Sequence, residues 1–245
     1  MESRHTGLTA KMEAFDTFWE GPENVEKGYQ SFYKFYKSNY LRHIPDDKHI
    51  RILVICCGPG YFVSMLKKEG YHDVLGIDSD PQKAQHGIDR GLNCMAAYAF
   101  DFLEAANGPF DLIFVEQEIN HLTKDEILQF LSLCRKNLAD EGRLIVHSLN
   151  GANPITGSEA LAQNFDHYNT FTEYSLRQVL QYSGFDEIHV RPLRLYVFYT
   201  NPLNYIGLAV DFILNQLFRL FFLFYGKENR HFAKKIAAIC KKSAK

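Results

Sequence analysis

The stretch Ile52-Leu-Val-Ile-Cys-Cys-Gly-Pro-Gly60-Tyr61 decides the fold. It begins as a short apolar, β-branched run typical of a buried strand, and its glycines end that run. Residues 61–69 then have the apolar spacing of a helix. Glycines at a strand-to-helix turn let a ligand approach the backbone amides of the helix N-terminus. The stretch therefore predicts a ligand-binding turn, although a plain tight turn explains Gly58 and Gly60 equally well.

Strand and helix patterns alternate after this unit. Predicted strands cover residues 51–56, 73–78, 94–98, 110–115 and 143–149, with two closing strands at 187–190 and 195–199. Helices are predicted at 61–69, 81–90, 123–138 and 172–183, where Asp80-Pro81 and a capping box at Thr123 mark two of the starts. Such alternation predicts an α/β fold, with a doubly wound seven-stranded sheet and helices on both faces.

Two further segments flank this core, which we assign to residues 49–200. Residues 1–48 are predicted to form a helical cap rich in aromatic residues, with Tyr29/Tyr33 and Phe32/Tyr36 spaced four apart as on one helix face. Residues 201–245 are predicted to form a C-terminal helical segment. Its part 203–225 is very apolar, but a charge within a spanning helix is costly, so Asp211 disfavours a transmembrane helix. A helix lying on a membrane, or packed on the body or a dimer partner, fits better.

Composition narrows the function. The chain has 245 residues, of which 46% are hydrophobic, and a net charge of −2. Seven Lys/Arg and one Glu follow Gly226, whereas the first 226 residues hold 20 basic and 28 acidic side chains. The acidic body argues against nucleic acid as a partner, and the basic end suggests peripheral membrane contact. Five cysteines without zinc-site spacing, and an N-terminus without an apolar signal-peptide run, predict a cytoplasmic protein.

Acidic residues after the strands suggest a nucleoside ligand. Asp78 ends the second predicted strand, where its carboxylate could accept both ribose hydroxyls. The alternative is a helix N-cap, but Ser79 or Asp80 could serve as that cap. Asp101 and Phe102 follow the third strand and could flank an adenine ring. A dinucleotide fold would have a small residue at the position of Val63, which counts against NAD.

These features together resemble the class I S-adenosylmethionine (SAM) methyltransferase family. The resemblance rests on Gly58-Pro-Gly60, Asp78, Asp101-Phe102, the FDLI run from Phe110, His121-Leu122 and the EGRLIVHSLN strand, and spans roughly residues 19–199. It implies a Rossmann-like fold and SAM as cofactor, with S-adenosylhomocysteine as product. It also implies cofactor contacts from Cys56, Cys57, Gly58, Gly60, Asp78, Ser79, Asp101, Phe102, Glu116, Tyr33 and Trp19.

Within the family, the chain looks most like bacterial methyltransferases of surface-polysaccharide gene clusters. The residues that carry this likeness are Phe18-Trp19-Glu-Gly, Asn150-Gly-Ala-Asn-Pro154 and the stretch from Asn164 to Leu176. The chain departs from the family at two positions, because an acid is usual at Val54 and a glycine at Cys56. Valine cannot help to hold the methionine end of SAM, so a non-catalytic SAM-binding homologue is an alternative.

His121, beyond the fourth strand, is the candidate general base. A hydroxyl acceptor is a poor nucleophile until its proton leaves, and an imidazole suits that transfer at neutral pH. The alternative is a histidine that only holds its loop. Related quinone-ring methyltransferases hold a divalent metal around this histidine, but the matching Gln117 and Asn120 are amides, so no metal is expected. Asp166 and His167 could bind sugar hydroxyls or position His121, and Asn150 is a further candidate for substrate binding.

The expected function is methyl transfer from SAM to a hydroxyl of a glycan or lipid-linked sugar. A small aromatic or lipid acceptor is the alternative substrate class, and an NAD-dependent oxidoreductase is a third, weaker alternative. A homodimer through the C-terminal segment is a further expectation.

Overall fold

The computed structural model describes residues 25–162, 164–196 and 202–242. Two short 3₁₀ turns cover Leu41–His43 and Glu118–Asn120. The helices are α1 Val25–Tyr40, α2 Tyr61–Lys68, α3 Pro81–Asp89, α4 Ala99–Glu104, α5 Lys124–Asn137, α6 Gly157–Ala162, α7 Glu173–Tyr182 and α8 Asn204–Phe224. The strands are β1 Arg51–Ile55, β2 Asp73–Asp78, β3 Cys94–Ala96, β4 Phe110–Glu116, β5 Leu138–Leu149, β6 Phe185–Pro192 and β7 Lys235–Lys242.

The seven strands form one sheet in the order β3-β2-β1-β4-β5-β7-β6. Strands β1 to β5 pair in parallel, and β7 is antiparallel to both of its neighbours. The chain winds outward from β1 through β2 to β3 and then returns to β4 on the other side of β1. Ligands of such sheets bind outside the carboxyl ends of the strands at this reversal. The predicted seven-stranded α/β fold is confirmed.

The seventh strand is not the one predicted from the sequence. Leu195 and Tyr196 lie outside any strand, and residues 197–199 are outside the described ranges. The strand comes instead from Lys235–Lys242, inside the segment predicted to be helical, so that prediction is wrong for these residues. The apolar run between the flanking lysines is buried between β5 and β6, and Lys241 pairs with Glu187 at 2.8 Å. Because lysines flank this apolar run, the sequence pattern does not identify it as a core strand.

Two apolar cores cover the two faces of the sheet. One packs α4, α5 and α7 against β4 and β5, and the other packs α1 and α2 against β1 and β4. The aromatic residues of α1 supply much of the second core, as the sequence predicted for the helical cap. Gly28 allows the close approach, because a Cβ there would lie 2.5 Å from the ring of Tyr61.

Candidate cofactor and active site

The turn after β1 takes an unusual backbone. Cys56, Gly58 and Gly60 all have positive φ, at 57°, 52° and 83°. A Cβ on Gly60 would lie 2.9 Å from Leu92, so this glycine permits packing of the turn onto the body. A Cβ on Gly58 would meet nothing within 4 Å, so the space on that side of Gly58 is open. Gly58 therefore marks the part of the turn that a ligand can reach.

Cys56 explains how the turn survives without the glycine that is usual at this position. A left-handed backbone costs an L-residue about 1–2 kcal/mol, which is the physical reason for that glycine. The Cys56 thiol donates a hydrogen bond to Oε2 of Glu118 at 2.7 Å, which offsets part of the cost. Burial and the nearby carboxylates raise the pKa of this thiol. Cys57, one of the residues expected to contact the cofactor, is buried beside Cys94.

Asp78 lies at the carboxyl end of β2, facing the turn. Its Oδ2 accepts from the Gly58 amide at 2.7 Å, and its Oδ1 accepts from the Asp80 amide at 2.9 Å. Asp80 caps α3 through the amides of Gln82 and Lys83, so the alternative role for Asp78 as a helix cap is excluded. Burial raises the pKa of Asp78. Each carboxylate oxygen keeps a lone pair for a ribose hydroxyl, and the exposed Ser79 is adjacent.

Asp101 and Phe102 do not lie where the expected contacts with adenine require them. Both residues lie inside α4, where Asp101 is exposed and Phe102 packs towards Phe110 and the core. The residues at the carboxyl end of β3 are Ala97, whose amide donates to the Asp78 carbonyl, and Tyr98, which is partly exposed. Tyr98 is thus better placed, and the sequence missed it because β3 is only three residues long.

Helix α1 reaches the turn through a different tyrosine from the one predicted. The Tyr29 hydroxyl donates to the carbonyl of Pro59 within the turn. Tyr33 instead donates to Glu69 at the far end of α2, so the structure places its hydroxyl away from the turn that the expected cofactor contact requires. Tyr29 lies one helical turn before Tyr33 on the same face of α1. Trp19 lies outside the described residues.

Glu116 ends β4 as a mostly buried carboxylate on the α1 side of the sheet, with its side chain 15% exposed. Its Oε2 accepts from the Tyr36 hydroxyl at 2.6 Å, and its Oε1 lies 3.4 Å from Nδ1 of His147. Although burial acts to raise the pKa of Glu116, these contacts hold it below its ordinary value. Phe114 is the register partner of Val54, so Glu116, two residues later, lies on the same face. It provides an acid near the position where Val54 lacks one.

His121 and Asp166 meet at the carboxyl end of β4. His121 Nδ1 lies 3.2 Å from Asp166 Oδ2, and the rings of His121 and His167 are 4.7 Å apart. Burial acts to lower the pKa of His121, but the contact with the Asp166 carboxylate outweighs it and raises the pKa above its ordinary value. The same contact lowers the pKa of Asp166. Of the two expected roles for Asp166, the geometry fits the positioning of His121.

Asn120 holds these two segments together, a role that sequence reasoning missed. Its buried amide donates to the Ser148 hydroxyl and to the Asn169 carbonyl at 2.7 Å. The backbone carbonyl of Asn120 accepts from the backbone amides of Tyr168 and Asn169. The loop that carries Asp166 is thereby fixed to the segment that carries His121. In the sequence, an amide at Asn120 beside the candidate base indicates only that a metal ligand is absent, and does not reveal this joining role.

Within the described residues, the cluster around His121 also has the geometry of a possible metal site. One ligand atom each from His121, Asp166 and His167 lies within 4.8 Å of the others. His167 Nδ1 contacts the carbonyl of Ala160 at 2.5 Å, and its Nε2 lies 3.4 Å from the side-chain amide of Asn164. This set differs from Gln117 and Asn120, the positions considered from the sequence. The cluster could hold a divalent cation or act as a proton acceptor with its orienting groups.

Asn150 does not have the expected contact with substrate. Its side chain is 1% exposed and donates to the carbonyls of His231 and Ala233, while accepting from the Ala152 amide. Asn153 similarly donates to the Phe232 carbonyl. Both amides tie the segment before β7 to the end of β5. Their hydrogen-bonding capacity is used by the backbone, so their role is structural.

Comparison with known proteins identifies the family and the fold. The profile of a methyltransferase-domain family matches residues 29–190. A SAM-dependent methyltransferase from Archaeoglobus fulgidus superposes with a TM-score of 0.63 at 20% identity, covering 89% of this chain and 97% of the other. A SAM-dependent methyltransferase from Thermotoga maritima, a possible histamine N-methyltransferase, gives 0.62 at 14% identity, covering 92% and 98%. No curated protein matches the chain.

A third solved structure was determined with the cofactor. Phosphoethanolamine N-methyltransferase 2 of Haemonchus contortus, in complex with SAM, superposes with a TM-score of 0.58 at 13% identity, covering 96% of this chain and 61% of the other. At such identities the superpositions show the fold, and the profile match shows the family. The chain belongs to the methyltransferase-domain family and is a SAM-dependent methyltransferase. The open space beside Gly58 and the Asp78 carboxylate fit this cofactor.

Proposed function

We propose that the protein is an O-methyltransferase that acts on a hydroxyl of a glycan or lipid-linked sugar, such as a surface-polysaccharide precursor. The contact between His121 and Asp166 is the observation that carries this proposal. An alcohol needs a base that takes its proton as it attacks, whereas a neutral amine is already a nucleophile. A histidine oriented by a carboxylate supplies that base.

The bound cofactor supplies a methyl group activated on a sulfonium. The protein holds the acceptor hydroxyl against His121, whose Nδ1 faces Asp166 and whose Nε2 receives the hydroxyl proton. The new bond joins the acceptor oxygen to the methyl carbon as the carbon–sulfur bond breaks, and S-adenosylhomocysteine leaves. Asp166 stabilises the imidazolium that forms. In this proposal, Glu116 holds the ammonium group at the methionine end of the cofactor.

The loop that carries Asp166 also supports a sugar acceptor. Asp166 and His167 are half-buried polar side chains, and the neighbouring Phe165 and Tyr168 are 77% and 50% exposed. The polar groups can bind the hydroxyls of a sugar, and the exposed aromatic rings can cover its apolar face. This combination suits a sugar acceptor. All five cysteines are free, which fits the proposed cytoplasmic location.

Transfer of labelled methyl groups tests this proposal. Purified protein is incubated with methyl-labelled SAM and fractionated cell-envelope extract, and the labelled product is characterised by mass spectrometry. The expected product is a methyl ether on a sugar, and its formation is expected to fall strongly in His121→Ala and to be unchanged in His86→Ala, which alters an exposed histidine on α3. Label found only on amines or on an aromatic compound would contradict the proposal.

A further inference from the structure

Helix α8 exposes an apolar surface of unusual extent. It has 21 residues and a length of about 31 Å, and among the described helices it alone is long and apolar enough to cross a membrane. None of its apolar window is buried. The exposed large apolar residues on it, and beside its ends, are Leu203, Tyr205, Ile206, Val210, Phe212, Ile213, Leu217, Leu220, Phe221, Leu223, Phe224 and Tyr225.

The polarity of α8 is the reverse of that of a soluble surface helix. The less exposed positions, including Asp211, Asn215, Phe218 and Phe222, share the face turned towards the body. At 100° per residue, the exposed positions span an arc of about 200°, and most of them are apolar. Water therefore faces the apolar side of the helix while two of its polar side chains face inward.

Chain topology excludes a membrane crossing by α8. The helix connects β6 to β7, which are neighbouring strands of one sheet. A spanning helix would place these two strands on opposite sides of the bilayer. Phe218 and Phe222 also contact the ring of Phe232, just before β7, so the helix is held against the body along its second half. The helix must therefore lie along any membrane that it contacts.

The position of α8 relates it to the active site. Strand β7 is antiparallel to β5, so its first residue Lys235 pairs with Leu149 at the carboxyl edge of the sheet. The segment between α8 and β7 is tied to the same edge by Asn150 and Asn153. His121 lies beyond the end of β4 at that edge. The helix and the candidate active site thus share one edge of the molecule.

We infer that α8 is an in-plane anchor that binds the surface of a lipid bilayer and brings the active-site edge to it. A single packed helix from a second copy would cover only a narrow stripe, whereas lipid can cover an arc of about 200°. Tyr205 and Tyr225 lie at the two ends of α8, and tyrosine is enriched at membrane interfaces. Lys227 and Arg230 follow the helix as exposed cations.

The binding is expected to be mainly apolar. Two of the lysines that made the C-terminal segment look cationic are engaged in the sheet, because Lys241 pairs with Glu187 and Lys242 donates to the Leu138 carbonyl. Arg219, Lys227 and Arg230 remain exposed on or just after α8 and can add to binding on anionic lipid. The apolar surface should bind zwitterionic vesicles without them, and binding to zwitterionic vesicles should change little at high salt. This binding is independent of the identity of the acceptor.

Vesicle co-sedimentation of the full chain tests the anchor, since truncation before α8 would remove β7 from the sheet. The parent should sediment with phosphatidylcholine vesicles, and the double variant Phe221→Glu/Phe224→Glu should remain in the supernatant with SAM affinity unchanged. The control Tyr182→Glu alters an equally exposed residue on α7 and should sediment like the parent. A parent that stays in the supernatant, or a dimer that the double variant dissociates, would overturn the inference.

Hydrogen exchange provides a second measurement that needs no variant. With phosphatidylcholine vesicles present, amide exchange in residues 204–224 should slow at least tenfold, while α7 should be unaffected. Equal exchange in α8 with and without vesicles would overturn the inference, whatever the behaviour of the variants.

Discussion

The two halves of the carboxyl edge are built by different means. Beyond β1 and β2, the cofactor half depends on backbone conformation, with three positive φ values in the turn and a carboxylate that accepts two amides. Beyond β4 and β5, the acceptor half depends on side chains, because His121 meets a residue 45 positions later in the chain. The backbone of the first half fixes the geometry needed for one cofactor, whereas the side chains of the second half can differ with the acceptor.

The largest expected effect lies in the acceptor half. Under the proposed O-methyl transfer, His121→Ala should lower kcat by roughly 10²–10⁴-fold, because a hydroxyl acceptor would lose its base. SAM affinity should stay within about twofold of the parent, since the two halves are separate. Steady-state kinetics and calorimetric titration measure the two quantities. If the variant turned over like the parent, His121 would hold only its loop.

A smaller effect is expected in the cofactor half. Asp78→Ala should weaken SAM binding by about 1.5–3 kcal/mol for each ribose hydrogen bond lost, because these bonds involve a charged acceptor. Asp89→Ala, an exposed acid on α3, serves as the control and should bind SAM like the parent. Unchanged SAM affinity in Asp78→Ala would remove this residue from the site.

The pH dependence separates a positioning residue from a structural one. Asp166 favours the protonated form of His121, so its removal in Asp166→Asn should lower the pKa of His121. The base is active when neutral, and the acid limb of the kcat/KM profile should therefore move to lower pH as the maximal rate falls. A lower rate with an unmoved acid limb would contradict the assigned role.

The smallest effect concerns the turn itself. Cys56→Gly should relieve a left-handed backbone and raise the free energy of unfolding by about 1 kcal/mol, or roughly 2–4 °C in Tm. Cys56→Ala is the matched control, because it removes the thiol but keeps the Cβ and should give no such gain. Thermal unfolding measures both. Equal stabilisation by alanine would show that backbone strain is not the cause.

The same division explains what could be predicted from the sequence. The turn, Asp78 and the cap at Asp80 are local features, so their chemistry follows from residues adjacent in the chain. The sequence leaves the pairing of His121 with Asp166 as one of two alternatives, because the amide of Asn120 that joins their distant segments has no local signature. The sequence does not predict strand β7, because lysines flank its short buried run, and it does not distinguish Tyr29 from Tyr33, because both lie on one helix face.

The most direct test of the account is a double-mutant cycle on kcat at saturating SAM, with Asp166→Asn made in the parent and in His121→Ala. If Asp166 acts through His121, the substitution lowers kcat in the parent and has no further effect once the imidazole is absent. The same fold-loss in both backgrounds would show that the two side chains act independently, which would contradict the assignment of His121 as a base oriented by Asp166.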